Sequence, residues 1–234
     1  MNCKCVVGIA ATIILVAALG AAGESKSADQ QTPVTSPLPP EYLIHPDGSV
    51  TLRICYNSSC ATTEAMTFSA SDMAYVREQI AICPDDTLRD RLQRLRIAVW
   101  KMEVLAQKHQ PILANDRAVN DEEYGIEGRT DCVDNSSNTT TFLRILEDLG
   151  DLPGWSVASP QVRHVFDFNL VHWSAVVIDQ KSGEPWTVDS WFRPNGHLPI
   201  VLPLSDWQNE AIGWAPPFKH LNPYPQYTHE LCES

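Results

Sequence analysis

The chain has 234 residues, 44% of them hydrophobic, and carries 29 acidic side chains against 17 Lys and Arg, a formal net charge of −12. That length and apolar content suit one ordinary domain with a real core plus extensions. An anionic surface argues against a phosphate-backbone partner, so nucleic acid is not an expected ligand.

The chain opens on MNCKCVVGIAATIILVAALGAAGES, with a single Lys4, an apolar run from Val6 to Leu19 and small residues near Ala22 and Gly23. This is the pattern of a secretory signal, so residues 1–23 are expected to be a cleaved signal peptide and the protein periplasmic or secreted. The run is short for a span and is broken by Gly8 and Gly20, so no stable membrane insertion is expected after cleavage; retention as an anchor helix is the alternative. Residues 24–40, ESKSADQQTPVTSPLPP, have the Ser, Gln, Thr and Pro content of a disordered lead-in. Residues 41–234 then form one domain.

Next come VTLRICYNSSC and ATTEAMTFS, two strand patterns expected to form a hairpin across the Cys55–Cys60 turn. In SASDMAYVREQIAIC, Ser71 or Asp72 can cap a helix whose Met73, Val76 and Ile80 share a face before Pro84. Thr87 can cap a longer helix with Leu88, Leu92, Leu95, Val99, Met102 and Leu105 or Ala106 in one stripe, its arginines reading as the solvated face, up to Pro111. An acidic loop leads to a third helix, from Asp131 to a C-terminal stop at Gly150. RHVFDF, VHWSAVVID and PWTVDSWF are strand candidates, the last two joined by QKSGE, and the Pro-rich tail is an irregular strap.

Without Cys3 and Cys5 the mature chain keeps Cys55, Cys60, Cys83, Cys132 and Cys232, an odd number for an oxidising compartment. Cys55 with Cys60 and Cys83 with Cys232 are the expected disulfides, although sequence alone also admits the other pairings of these four. Cys132 is left as the thiol. No C-x-x-C pair is present to suggest zinc.

The third helix starts oddly. Cys132 would sit at its first position after an Asp131 N-cap, followed by the polar run Asn135–Thr141, whose residues are poor helix formers. A cysteine there is favoured as thiolate by the helix dipole, while Asp131 and Asp134 oppose it, so a basic neighbour is needed. His172, at the start of a strand, is the candidate base, and Asp189 on the next strand can hold its tautomer. The two share a face only when His172 lies opposite Asp189 or Trp191, and QKSGE allows either parity. Small residues at the helix start would let the histidine strand pack close and would satisfy buried polar groups. Asn135 is the candidate oxyanion donor, with Asn115 and Asn120 as further possibilities in the preceding loop. Sequons at Asn57, Asn135 and Asn138 read as chance matches.

DCVDNSSNTTTFLRILEDLG, HWSAVVID and VDSWFRPNGHLPIVLPLSDW together resemble a family of exported bacterial proteins similar in logic to the transglutaminase-like cysteine proteinases of the papain-like superfamily. The resemblance covers about Arg129 to Trp207. It implies an α+β papain-like core with the cysteine helix packed on an antiparallel sheet, Cys132 as nucleophile, His172 as base and Asp189 as orienter. Transglutaminases usually place an aromatic after the cysteine, and Val133 stands here, which favours hydrolysis over cross-linking. The expected activity is thiol-dependent amide cleavage of peptides or cell-wall peptide stems, without a cofactor. A catalytically inactive binding or scaffolding module in the cell envelope is the alternative, and a metal hydrolase using Asp131, Asp134, His172 and Asp189 a third reading.

Overall fold

The computed structural model describes residues 36–83, 87–118, 126–164 and 171–209. The expected signal peptide, most of the lead-in, the Pro-rich tail and the second half of RHVFDF lie outside these residues.

The first half builds a three-stranded antiparallel sheet of β1 (Tyr42–Ile44), β2 (Val50–Tyr56) and β3 (Thr62–Phe68), in the order β1-β2-β3. Along β2, Val50, Leu52, Ile54 and Tyr56 alternate inward, which pins the register of Val50 against Phe68 through to Tyr56 against Thr62. Two helices cover that inward face, α1 (Ala70–Ile80) and α2 (Leu88–His109). Ser69, and not Ser71 or Asp72, is the N-cap of α1; Asp72 is its reciprocal partner three residues on, in a capping box. Thr87 caps α2 by accepting from the Asp90 N–H, and a 3-10 turn begins at Pro111.

The stripe expected on α2 is in the core, with Leu92, Leu95, Val99, Met102, Leu105 and Ala106 all buried. Its polar face is not wholly solvated, however. Arg96 is buried and donates from Nε to the Pro199 carbonyl at 3.0 Å, and Glu103 and Gln107 hold the loop that follows β6 through the Gly196 N–H and the Asn195 carbonyl. Charge alternation along a helix cannot distinguish such tethers from solvated residues, because both keep the same period.

α3 (Cys132–Asp148) ends at Gly150 as the sequence requires: with φ +76°, the Gly150 N–H reaches the Glu147 carbonyl and the Asp151 N–H the Leu146 carbonyl. The second half is a four-stranded antiparallel sheet in sequential order, β4 (Trp155–His164), β5 (Val171–Asp179), β6 (Pro185–Asp189) and β7 (Ile200–Pro203), followed by the short α4 (Leu204–Asn209). β4 starts well before the RHVFDF candidate, carried by a register shift between Ala158 and Gln161 that accommodates Pro160. Trp155, Val157, Ala175, Val177, Trp186 and Val188 face α3 and share the main core with its Phe142, Leu143, Ile145 and Leu146. The class is therefore mixed, helices with two antiparallel sheets, and α3 packs against both.

Candidate active site

α3 starts where the sequence puts it. Asp131 caps it, Oδ1 accepting from the Val133 and Asp134 N–H groups, and Asp134 returns the favour by accepting the Asp131 N–H at 2.9 Å. The remaining acceptors of the pair grip the neighbouring turn: Asp131 Oδ2 takes the Ser59 N–H and hydroxyl, and Asp134 Oδ1 takes the Cys60 N–H at 2.6 Å. That turn carries four successive non-glycine residues, Asn57 to Cys60, at φ between +52° and +70°. Each costs about 1–2 kcal/mol relative to right-handed backbone, so the turn needs its carboxylate anchors and the Cys55–Cys60 disulfide to persist.

The expected Cys55–Cys60 bridge is present. Cys83 is disulfide-bonded as well, and its expected partner Cys232 lies outside the described residues. Cys132 stands in no disulfide and is fully buried at the first helical position. Of the two acids beside it, Asp134 does not bring the charge that its residue type suggests. Burial, then the Asp131 charge, hold its carboxyl well above the usual range, so the pair opposes a thiolate less than two carboxylates would.

The polar run is explained by two-sided packing. Asn138 treats Cys55 as a strand neighbour would, accepting its N–H at 2.8 Å and donating to its carbonyl at 2.7 Å. Thr139 meets Ser190 at 2.9 Å on the other side. Ser136 and Ser137 turn back on the carbonyls of Cys132 and Val133, and Thr141 on that of Ser137. Nearly the whole run is buried, so compact residues that carry their own partners are needed where two sheets close on one helix. The sequon asparagines are spent in the same way, Asn57 on Gly128 and Thr62, Asn138 on Cys55.

Asn135 is committed too. Its Nδ2 donates to Thr130 Oγ1 and to the Asp131 carbonyl, and its Oδ1 accepts from Ser190. It braces the helix start against the end of β6, and both its N–H groups are directed there, which argues against the oxyanion role expected of it. Asn115 donates to the Glu127 carbonyl, and Asn120 lies outside the described residues.

His172 and Asp189 do come together, Nε2 to Oδ2 at 2.7 Å, with both side chains almost wholly buried. The register explains it: Ala175 pairs with Val188 and Asp179 receives a bond from Gly183 at the hairpin end, which places His172 in line with Trp191 and on the face of Asp189. Asp189 Oδ2 also accepts the Trp207 indole N–H at 3.0 Å, so α4 locks the carboxylate from outside the sheet. Arg163, opposite His172 on β4, donates to the Trp207 carbonyl and lies over its ring. The imidazole is walled by Trp191, Phe192 and Trp207, with centroids 4.8, 5.1 and 5.6 Å away. Arg163 is the residue that sequence reasoning passed over as part of this site, since nothing in RHVFDF announces a second-strand partner.

Cys132 reaches the same place from the helix side. Its sulfur lies 4.0 Å from the carbonyl of Val171, the residue before His172. Alternation along β5 turns Trp173, Ala175 and Val177 toward α3 and His172 to the other face, so the sulfur meets the strand at the carbonyl of its first residue, Val171, next to His172 in sequence. One buried cluster contains Cys132, Val133, Trp191, Phe192 and Trp207, three of which wall the ring.

Metal chemistry finds little support in the donors. The described residues bring Cys55, Cys60 and Asp134 within ligand reach of one another, but two of those sulfurs are joined. Asp131, Asp134, His172 and Asp189, the other set considered, divide into a helix cap and a His–Asp pair, each engaged internally. No protein-family model matches the chain, and neither a curated protein nor a solved structure matches it.

Proposed function

We propose that the protein is an exported amidohydrolase or peptidase with a papain-like arrangement, in which Cys132 attacks an amide carbonyl. The single observation that carries this is the buried His172–Asp189 pair at the strand start where the one thiol outside a disulfide among the described residues, at a helix N-terminus, also lies. Asp189 would hold the imidazole in one tautomer, with Trp207 fixing the carboxylate. His172 would take the thiol proton as sulfur bonds to the carbonyl carbon, and give it to the leaving amine. Water would then cleave the thioester, releasing acid and restoring the thiol. The positive end of α3 would favour both the thiolate and the oxyanion. Peptides, including cell-wall peptide stems, are the substrate class, and the periplasm or exterior is the location.

Cys132 and His172 are both 0% exposed, so turnover requires the cover of Trp191, Phe192 and Trp207 to part. That same burial favours the second reading, a scaffolding module whose His–Asp pair is only structural. The discriminating experiment is mass spectrometry of the mature protein quenched during reaction with amide and ester substrates. Hydrolysis predicts an acyl adduct on Cys132 that Cys132→Ala abolishes and His172→Ala slows at least a hundredfold; a module gives no adduct.

A further inference from the structure

A groove runs along α3 beside the helix start. Its floor is Ser137, Asn138, Thr140, Thr141 and Arg144, with β2 on one side and the Ala158–Pro160 bend of β4 on the other. The last described residues of the lead-in, Ser36–Pro40, lie along it. The Leu38 N–H donates to Ser137 Oγ at 2.9 Å, and the Leu38 side chain packs on the cluster that contains Cys132.

The fit is incomplete in a particular way. Clefts of about 170 and 330 Å³ remain on the two sides of the segment. In the larger one, Thr140 Oγ1 and Trp173 Nε1 are buried without a hydrogen-bond partner among the described residues, and Thr140 is 1% exposed. Pro37, Pro39 and Pro40 have no N–H to give, so Leu38 supplies the one main-chain donor between Pro37 and Pro40. Proline also stiffens the segment before it binds, which lowers the entropy lost on docking. A peptide with a carbonyl opposite the Trp173 N–H and a donor or acceptor opposite Thr140 would satisfy groups that Ser36–Pro40 leaves unanswered.

We propose that this groove docks an extended peptide, and that Ser36–Pro40 occupies it in cis as a displaceable strap. The docked peptide's role as substrate rests on the peptidase reading above; the groove itself does not.

The test uses a fluorescein-labelled TPVTSPLPPE peptide, the sequence of residues 32–41, followed by fluorescence anisotropy on the mature chain. Leu38→Asp loosens the cis strap and is expected to bind the peptide at least tenfold more tightly than the intact chain. Unlabelled TPVTSPDPPE is expected to compete at least tenfold less well than TPVTSPLPPE. A second protein, with a protease site inserted after Pro40 and cut once folded, gives the same reading without altering any residue from Glu41 onward, should Leu38→Asp fail to fold. Absent binding, equal binding to strapped and released protein, or equal competition by both peptides overturns the groove. His172→Ala is expected to leave peptide affinity unchanged; in the chain with His172 intact, binding without turnover sinks the peptidase reading alone, and turnover without binding sinks the groove alone.

Discussion

The two sheets meet the start of α3 on different terms. The β1–β3 side grips it through main chain and carboxylates: Asp131 and Asp134 hold the left-handed Asn57–Cys60 turn, and Asn138 holds Cys55. The β4–β7 side presents side-chain chemistry, with imidazole, carboxylate and indole stacked under an aromatic cover. One side fixes where the sulfur sits, and on the proposed peptidase reading the other would supply what acts on it. A site divided in this way has a support half and a reactive half that separate mutations can address.

The largest effect is expected on the reactive side. Asp189→Ala strips the buried acceptor from both His172 and Trp207, and should cost about 3–5 kcal/mol in denaturant unfolding, the range for a broken buried pair. Asp189→Asn should cost less and still abolish His172-dependent thiol reactivity.

The connection between the halves should be sensitive to pH. Burial raises Glu103 to about 8 and Asp116 to about 7, and both lie beside the loop that follows Asp189. A carboxyl whose folded pKa exceeds its unfolded value keeps its proton longer in the fold. The stability it lends is full in acid and is lost as pH rises from the ordinary carboxylate range through about 7 and 8. Glu103→Gln should flatten that decline by a few kcal/mol in unfolding free energies measured between pH 5 and 9; an unchanged slope would contradict the assignment.

On the support side, Asp134→Ala leaves the Asp131 and Cys60 N–H groups buried without their acceptor, for about 2–3 kcal/mol. Cys55→Ser opens the small loop and should cost about 2 kcal/mol, the loop-entropy figure for so short a closure. If the support half works as described, both variants also change the alkylation rate of Cys132, which a remote surface change would not. Ser69→Ala, at the cap of α1 just after β3 and outside the contacts that hold the start of α3, should cost about 1 kcal/mol and leave Cys132 alone.

Much of this was legible in the sequence wherever a local rule decides. Thr87, Asp131 and Gly150 mark helix ends by side-chain and φ requirements, β2 alternates cleanly, and the spacing of Cys55 and Cys60 fits one tight turn. The His172–Asp189 contact was legible up to parity, because QKSGE admits two registers and only the paired strands choose between them. What tertiary contacts decide could not be read: Ser69 replaces Ser71 or Asp72 as a cap, Arg96 and Glu103 turn inward to hold a loop 103 and 93 residues on, and β4 absorbs a proline through a bulge. Asn135 looked like a donor for chemistry because its residue type suits that role, yet Thr130, Asp131 and Ser190 surround it.

The central claim is that the imidazole governs the sulfur. Its most direct test is the rate of alkylation of Cys132 by iodoacetamide across pH 5–10, in the chain from Glu24 onward and in its His172→Ala variant, with intact mass as readout. The account predicts a single adduct on Cys132 whose rate in the wild type is already high near neutral pH, and in His172→Ala falls at least tenfold there and rises only near the ordinary thiol pKa. Identical profiles for the two proteins would contradict it.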